Sequence, residues 1–155
     1  MANFVLAKHL ALRSKRLKGL LNKLRKAGYL LSLWSSDELS EVTQVANKIA
    51  PNGKGRDFFT YLLSSADLSG KYKRLTNVFP DKPERDRVIV FDDTPGTKAA
   101  YTERKHFVRV PTWDGVKQDT VLDTLCAALE KLGPTVDLRN HRSELLAAMP
   151  LPPRR

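Results

Sequence analysis

Two short apolar runs place the strongest constraint on how this chain can fold. Residues 29–34 and 88–91 contain almost only apolar side chains, and a polar loop follows each run directly. A half-exposed strand alternates apolar and polar residues, whereas a strand buried on both faces reads as a continuous apolar run. We therefore predict that residues 30–34 and 88–91 form central parallel strands of one sheet, and that neither lies at an edge.

Amphipathic helices are predicted around these strands. In residues 14–27, leucines recur at helical spacing and lysines and arginines fill the other positions, and Gly28 follows as a stop. After the first strand, Ser35 and Glu38 have the spacing of a capping box that would open the next helix. Residues 119–132 and 140–149 are expected to be further helices, the latter capped by Asn140.

A strand or extended segment is expected at residues 56–63, and another short strand at residues 106–110. Strand and helix then alternate along the chain, which predicts an α/β domain with a mostly parallel sheet and helices on both faces. We predict a basic extension at residues 1–13, one domain at residues 14–132, and a final helix with a basic tail at residues 133–155.

Positive charge is concentrated at the amino-terminal end. The net charge is +10, and residues 1–36 carry +8 of it because they contain no Asp or Glu. A field polarised in this way suits phosphate backbones, although a solvated helix face that only aids solubility is the alternative. The basic residues predicted to contact RNA lie at both ends: Lys8, Arg13, Lys15, Arg16, Lys18, Lys23, Arg25, Lys26, Arg154 and Arg155. An acid-free, basic beginning is also typical of mitochondrial targeting segments, so we expect a mitochondrial location.

Polar residues follow the predicted strands at the carboxyl edge, where parallel sheets bind ligands. Ser35 follows the first apolar run, Asp92 and Asp93 follow the second, and Lys73 lies between the two runs. A hydroxyl group for phosphate, a lysine to balance charge and two carboxylates for Mg²⁺ are the components of a phosphoryl-transfer site. The simpler alternatives are that Ser35 caps a helix and that the carboxylates cap a turn.

The order of these motifs resembles the haloacid dehalogenase superfamily. Within it, the sequence is similar to the NLI-interacting-factor-like domain of phosphatases that act on the RNA polymerase II C-terminal domain, which a mitochondrial presequence receptor also contains. The resemblance covers residues 10–132. It rests on Leu31-Ser32-Leu33-Trp34-Ser35-Ser36, on Lys73-Arg74-Leu75, on Val88-Ile89-Val90-Phe91-Asp92-Asp93-Thr94-Pro95 and on Pro111-Thr112-Trp113.

The departures from that family's pattern decide the functional prediction. The resemblance implies a first strand with an Asp-x-Asp-x-Thr pattern, in which one aspartate accepts the phosphoryl group. Here the first acidic residue is Asp37, so we expect that strand to be absent or reduced to Phe4-Val5-Leu6. Arg74 also stands where the lysine motif has an aspartate. We predict no catalytic residue, no cofactor and no bound metal, with Ser35, Lys73, Asp92 and Asp93 as a vestigial phosphate or metal site.

The remaining candidate residues are assigned structural roles. The single cysteine, Cys126, lies in an apolar helical pattern and is predicted to be a core thiol. Trp34 and Trp113 are predicted to be core residues. The three histidines have no partner at metal-ligand spacing, and these are His9, His106 and His141.

The sequence thus favours a structural subunit of a large ribonucleoprotein. A mitochondrial ribosomal protein or assembly factor, with ribosomal RNA and neighbouring proteins as partners, is the preferred hypothesis. One alternative is a protein-binding subunit of a mitochondrial translocase or other membrane complex. Another is a phosphatase fragment whose nucleophile strand lies in another chain. No small-molecule substrate is expected, and no apolar stretch reaches the roughly 20 residues that cross a bilayer.

Overall fold

The computed structural model describes residues 3–7, 17–92, 98–111 and 120–149. Strands and helices alternate within these ranges, so the protein has the predicted α/β organisation. The strands are β1 (Asn3–Ala7), β2 (Leu30–Trp34), β3 (Tyr61–Leu63), β4 (Val88–Asp92) and β5 (Phe107–Arg109). The helices are α1 (Leu17–Lys26), α2 (Leu39–Ile49), α3 (Gly55–Phe58), α4 (Leu75–Val78), α5 (Lys82–Arg85), α6 (Val121–Leu132) and α7 (Arg142–Ala148). Short 3₁₀ helices lie at Ser65–Asp67, Tyr101–His106 and Leu138–His141.

The five strands form one parallel sheet in the order β3-β2-β1-β4-β5. β2 and β4 are both interior strands, which confirms the prediction from the two apolar runs. The chain moves from β1 towards β3 on one side and crosses back to β4 on the other. The strand order therefore reverses between β1 and β4, and such a reversal opens a crevice at the carboxyl ends of the strands.

The first strand was expected either to be absent or to be reduced to Phe4-Val5-Leu6, and the structure contradicts the first of these expectations. An absent strand is wrong, because β1 lies at the centre of the sheet and pairs with both β2 and β4. The alternative, a short strand around Phe4-Val5-Leu6, agrees with the structure. Phe4 is level with Leu31 on one side and with Ile89 on the other. Part of the predicted extension at residues 1–13 is thus integral to the sheet.

Helices cover both faces of the sheet, but unequally. Side chains alternate across a strand, so Leu31 and Leu33 point to one face and Trp34 to the other. The first face packs against α1, α2, α6 and α7 in the larger cluster of buried side chains. The second packs against Leu75 and Phe79, at and just after the short helix α4, in the smaller cluster.

Several element boundaries depart from the sequence prediction for packing reasons. The stretch predicted as a strand or extended segment at residues 56–63 is split, because α3 takes its first part and only Tyr61–Leu63 joins the sheet. Gly55 permits this split: a Cβ atom there would lie 2.4 Å from the Cβ atom of Ala46, so α3 rests directly on α2. The Asn47 side chain also accepts a hydrogen bond from the Gly55 N–H at 2.8 Å.

Both predicted helix caps are wrong. α2 begins at Leu39 with Glu38 in the capping position and no side-chain cap, because the Ser35 hydroxyl is used two residues along the chain at Asp37. At the final helix, Asn140 lies inside a 3₁₀ turn and His141 takes the capping position of α7. None of the described helices is both long and apolar enough to cross a membrane.

Candidate functional site

The crevice between β1 and β4 is the candidate site. Leu6 of β1 is level with Phe91 of β4, so the next residues, Ala7 and Asp92, end the two strands side by side. Ala7 is also level with Trp34 at the end of β2. The central strand therefore ends in an alanine at the point where a ligand would approach the sheet.

Lys73 and Asp92 form a buried ion pair in this crevice. The Lys73 Nζ atom lies 2.8 Å from an Asp92 Oδ2 atom, and the two side chains are only 5% and 1% exposed. The same ammonium group approaches the Trp34 carbonyl oxygen at 3.5 Å, which ties it to the end of β2. Since a buried charge is costly unless it is paired, the contact between the two side chains stabilises both charges.

Ser35 is buried at the end of β2, but its hydroxyl group is engaged locally. It donates to the Asp37 carboxylate at 3.0 Å and accepts from the Asp37 N–H at 3.1 Å. Its own N–H donates to the Leu63 carbonyl oxygen. Ser35 is therefore a turn residue that fastens the end of β2, rather than the helix cap that was predicted.

Residues 7–139 match the sequence profile of the NLI interacting factor-like phosphatase family. The chain belongs to this family. The match begins at the last residue of β1 and ends in the turn before α7, so it includes β2 to β5, Lys73 and Asp92. No curated protein matches the chain.

Family membership confirms the resemblance that was read from the motifs around Trp34, Lys73 and Asp92. The structure brings Lys73 and Asp92 into contact, and Ser35 follows the residue whose carbonyl oxygen Lys73 approaches. The fourth predicted site residue, Asp93, lies outside the described residues. Within the described part of the chain, no group of three or more His, Cys, Asp or Glu side chains could hold a metal ion.

The buried side chains predicted to be structural have environments that suit this role. Trp34 is fully buried, and among the described residues its indole N–H has no hydrogen-bond partner. Burial raises the pKa of the Cys126 thiol to about 12, which leaves it protonated and unreactive at neutral pH. His106 is buried with its Nδ1 atom 3.0 Å from the Val88 carbonyl oxygen, and burial is the main cause that lowers its pKa. His9 and Trp113 lie outside the described residues.

α1 separates its leucines from its charges as predicted. Leu17, Leu21 and Leu24 are buried, and Leu20 is partly buried against the same cluster. The four basic residues of the helix are all exposed, and these are Lys18, Lys23, Arg25 and Lys26. The other basic residues predicted to bind RNA lie outside the described residues, and these are Lys8, Arg13, Lys15, Arg16, Arg154 and Arg155.

Arg25 has a structural contact in addition to its exposure. Its guanidinium group lies 5.2 Å from the centre of the Phe58 ring and donates a hydrogen bond to the Phe58 carbonyl oxygen. This contact joins the end of α1 to α3. Arg25 therefore has a role within the fold. The basic residues of α1 that we assign to an external partner are Lys18, Lys23 and Lys26.

Sequence reasoning missed a second charged cluster, at the amino ends of the strands. Arg139 contacts the carboxylates of Asp137 and Asp86, at 2.6 Å and 3.2 Å. Its hydrogen bonds lower the pKa of Asp137, and a hydrogen bond from Lys82 is the main cause that lowers the pKa of Asp86. The cluster borders a shallow cavity of about 300 Å³. No periodic pattern marks these residues in the sequence, because they meet only when the segment after α6 returns to the sheet.

Proposed function

We propose that this chain is a non-catalytic member of its family that binds RNA as a structural subunit of a large ribonucleoprotein. The observation that carries the proposal is the exposed face of α1. Lys18, Lys23 and Lys26 project from a helix whose leucines are buried, and the helix contains no acidic residue. Lysines on a rigid helix can meet phosphate groups and fix the position of RNA without reading its sequence.

The crevice supports a non-catalytic role. Covalent phosphoryl transfer needs a carboxylate that accepts the phosphoryl group. The strand that ends at the crevice carries Ala7 at its end, and residues 1–36 contain no Asp or Glu. Lys73, which could otherwise balance the charge of a bound phosphate, is already paired with Asp92.

A mitochondrial ribosome, or a factor that assembles it, is the complex we propose. The reasons are the acid-free and basic composition of residues 1–36 and the exposed lysines of α1. A subunit of a mitochondrial translocase would use the same basic face for an acidic protein. The two proposals differ in the partner that α1 contacts.

The RNA-binding proposal is tested by removing the lysines of α1. We expect the Lys18→Ala, Lys23→Ala, Lys26→Ala triple variant to bind a labelled RNA duplex more weakly than the unmodified chain. The slope of log affinity against log salt should fall by about one for each lost phosphate contact. Arg25 is left in place because it contacts Phe58.

A matched control has the same change in charge elsewhere on the surface. The control variant carries Lys48→Ala, Lys54→Ala and Lys82→Ala, three exposed lysines outside α1. It should keep both the affinity and most of the salt slope of the unmodified chain. Equal losses in the two triple variants would mean that the affinity depends on net charge alone, and the role of α1 would then be rejected.

Phosphatase activity is the second candidate, because the family consists of phosphatase-like proteins and Lys73 and Asp92 meet in the crevice. We expect no hydrolysis of p-nitrophenyl phosphate or phosphoserine peptides, with or without Mg²⁺. Turnover that is lost on Asp92→Asn, and kept on Asp57→Asn at an exposed site, would establish the enzyme and contradict the proposal.

A further inference from the structure

We propose that a second surface of this protein binds unpaired nucleotides of RNA by stacking them on Tyr101. This proposal rests on the proposed RNA-binding function and adds to it a second site with a different ligand preference. The surface is formed by residues 71–76 and 98–105, and we call it the Tyr101 surface. Its exposed or partly buried aromatic and basic side chains are Lys71, Tyr72, Arg74, Lys98, Tyr101, Arg104 and Lys105.

Hydrogen bonds hold the two segments of the Tyr101 surface side by side. The Lys73 N–H donates to the Lys98 carbonyl oxygen at 2.8 Å. The Glu103 carboxylate then accepts from the Leu75 and Thr76 N–H groups, at 2.8 Å and 3.1 Å. Glu103 is itself buried, so these contacts fix the second segment against the first.

The 3₁₀ geometry of Tyr101–His106 determines which side chains face outward. Three residues make one turn of such a helix, so positions i and i+3 share a face. Glu103 and His106 form the buried face, while Tyr101 and Arg104 share an exposed one. Tyr101 is 82% exposed, which is unusual for so large a ring. The Arg104 guanidinium lies 5.2 Å from the centre of the Tyr101 ring and supports it from one side.

The charge of this surface is of one sign. Glu103 is the only acidic residue in the two segments, and its carboxylate is buried on the N–H groups that begin α4. A second pair of cation and ring lies nearby, with the Lys71 Nζ atom 5.3 Å from the centre of the Tyr72 ring. Cations interleaved with accessible rings are the combination that binds single-stranded nucleic acid, because bases stack on the rings while the cations meet the backbone.

The Tyr101 surface and α1 lie on opposite sides of the sheet. α1 packs against the face that contains Leu31 and Leu33, whereas Leu75 and Ala99 belong to the cluster on the other face. The two surfaces can therefore bind separate RNA segments. The chain could hold a helical RNA segment on α1 and an unpaired segment on the Tyr101 surface.

The test compares labelled oligouridine with an RNA duplex of the same length, using the full chain. Tyr101→Ala should weaken oligouridine binding by roughly tenfold and duplex binding by less than about twofold, since one stacked base is lost from the single-stranded probe alone. Tyr101→Phe keeps the ring and should bind both probes as the unmodified chain does. Because Tyr101 is so exposed, neither variant should change the circular dichroism spectrum or the melting temperature. Ultraviolet cross-linking of bound oligouridine should label the peptide that contains Tyr101.

The proposal is overturned if Tyr101→Ala keeps its affinity for oligouridine, or if it loses affinity for both probes equally. It is also overturned if the unmodified chain binds polyglutamate but no oligouridine, because the partner would then be an acidic polypeptide. A triple α1 variant that retains all duplex affinity, beside a Tyr101→Ala variant that loses oligouridine affinity, would reject the role of α1 and support that of Tyr101.

Discussion

At the scale of single residues, Lys73 and Asp92 have the residue types of a phosphoryl-transfer site, but they form an ion pair with each other. Both side chains are almost completely buried, and their charged atoms lie 2.8 Å apart. Removing one partner of such a pair leaves an uncompensated charge in a medium of low dielectric constant, whereas removing both partners does not.

We predict that Lys73→Met lowers the free energy of unfolding by about 3–5 kcal/mol. The double variant Lys73→Met, Asp92→Leu should be more stable than the sum of the two single changes implies, because each side chain stabilises the charge of the other. Urea unfolding of the four proteins in this double-mutant cycle measures the coupling. Additive losses would show that the pair contributes nothing as a pair.

His106 makes stability depend on pH in a defined direction. Burial is the largest cause that lowers its pKa from the ordinary value of 6.5, and the charges of Arg139 and Lys105 act in the same direction, while Glu103 and the Val88 carbonyl oxygen oppose them. The unfolded chain therefore binds a proton at His106 more readily than the folded chain does. Stability is fully present above a pH of about 6.5 and is lost as the pH falls below it.

We expect the urea midpoint of the unmodified chain to fall between about pH 7 and about pH 5.5, the window that follows from this lowered pKa. His106→Gln should remove much of this dependence. An unchanged pH profile in His106→Gln would rule out His106 as the cause.

At the scale of elements, α1 combines two functions that its two faces keep apart. Its leucines pack on the sheet and on α6, and its lysines do not contribute to that packing. Exposed charges contribute little to stability, while a buried leucine contributes through the contacts and the cavity that it fills. The binding surface can therefore be altered without loss of the fold.

We predict that Leu24→Ala destabilises the protein by about 2–5 kcal/mol. The Lys18→Ala, Lys23→Ala, Lys26→Ala variant should change the free energy of unfolding by less than about 0.5 kcal/mol for each substitution. Thermal unfolding of both variants checks this difference. A triple variant as unstable as Leu24→Ala would mean that the lysines are structural and that their effect on RNA binding cannot be read as a contact.

The elements with strong patterns could be predicted from the sequence. β2 and β4 were found because a strand covered on both faces is apolar throughout, and α1 because its leucines recur at helical spacing. The central position of β1 could not be inferred in this way. The Asp-x-Asp-x-Thr pattern that would mark this strand is absent from the sequence. The strand is identified only by its pairing with both β2 and β4.

Only the residues of the candidate site could be predicted from the sequence, because their contacts depend on how the chain folds. Lys73 and Asp92 could be selected by residue type and position, but their mutual contact depends on the path between α4 and β4. The Ser35 turn competes with a capping box that looks equally good in the sequence, and the hydrogen bond from the Asp37 N–H decides between them. The exposure of Tyr101 could not be predicted, because a repeat of three residues in so short a 3₁₀ helix does not identify the exposed face from the sequence.

At the scale of the whole molecule, the described residues present two basic surfaces on opposite sides of a sheet whose crevice contains the Lys73–Asp92 ion pair. α1 offers lysines on a rigid helix, and the Tyr101 surface offers cations around an exposed ring. Under the proposed function, the chain would lie between two RNA segments of a larger particle, where phosphate contacts would position it.

The most direct test of this account is to isolate the native complex that contains the chain and to identify its components. The endogenous protein would be tagged at its carboxyl end and purified gently from whole cells, with RNA sequencing and mass spectrometry on the same eluate. We expect ribosomal RNA and ribosomal proteins, in amounts comparable to the tagged chain, and their loss with the triple α1 variant. Recovery of translocase or other membrane proteins without RNA, or of no mitochondrial material, would contradict the account.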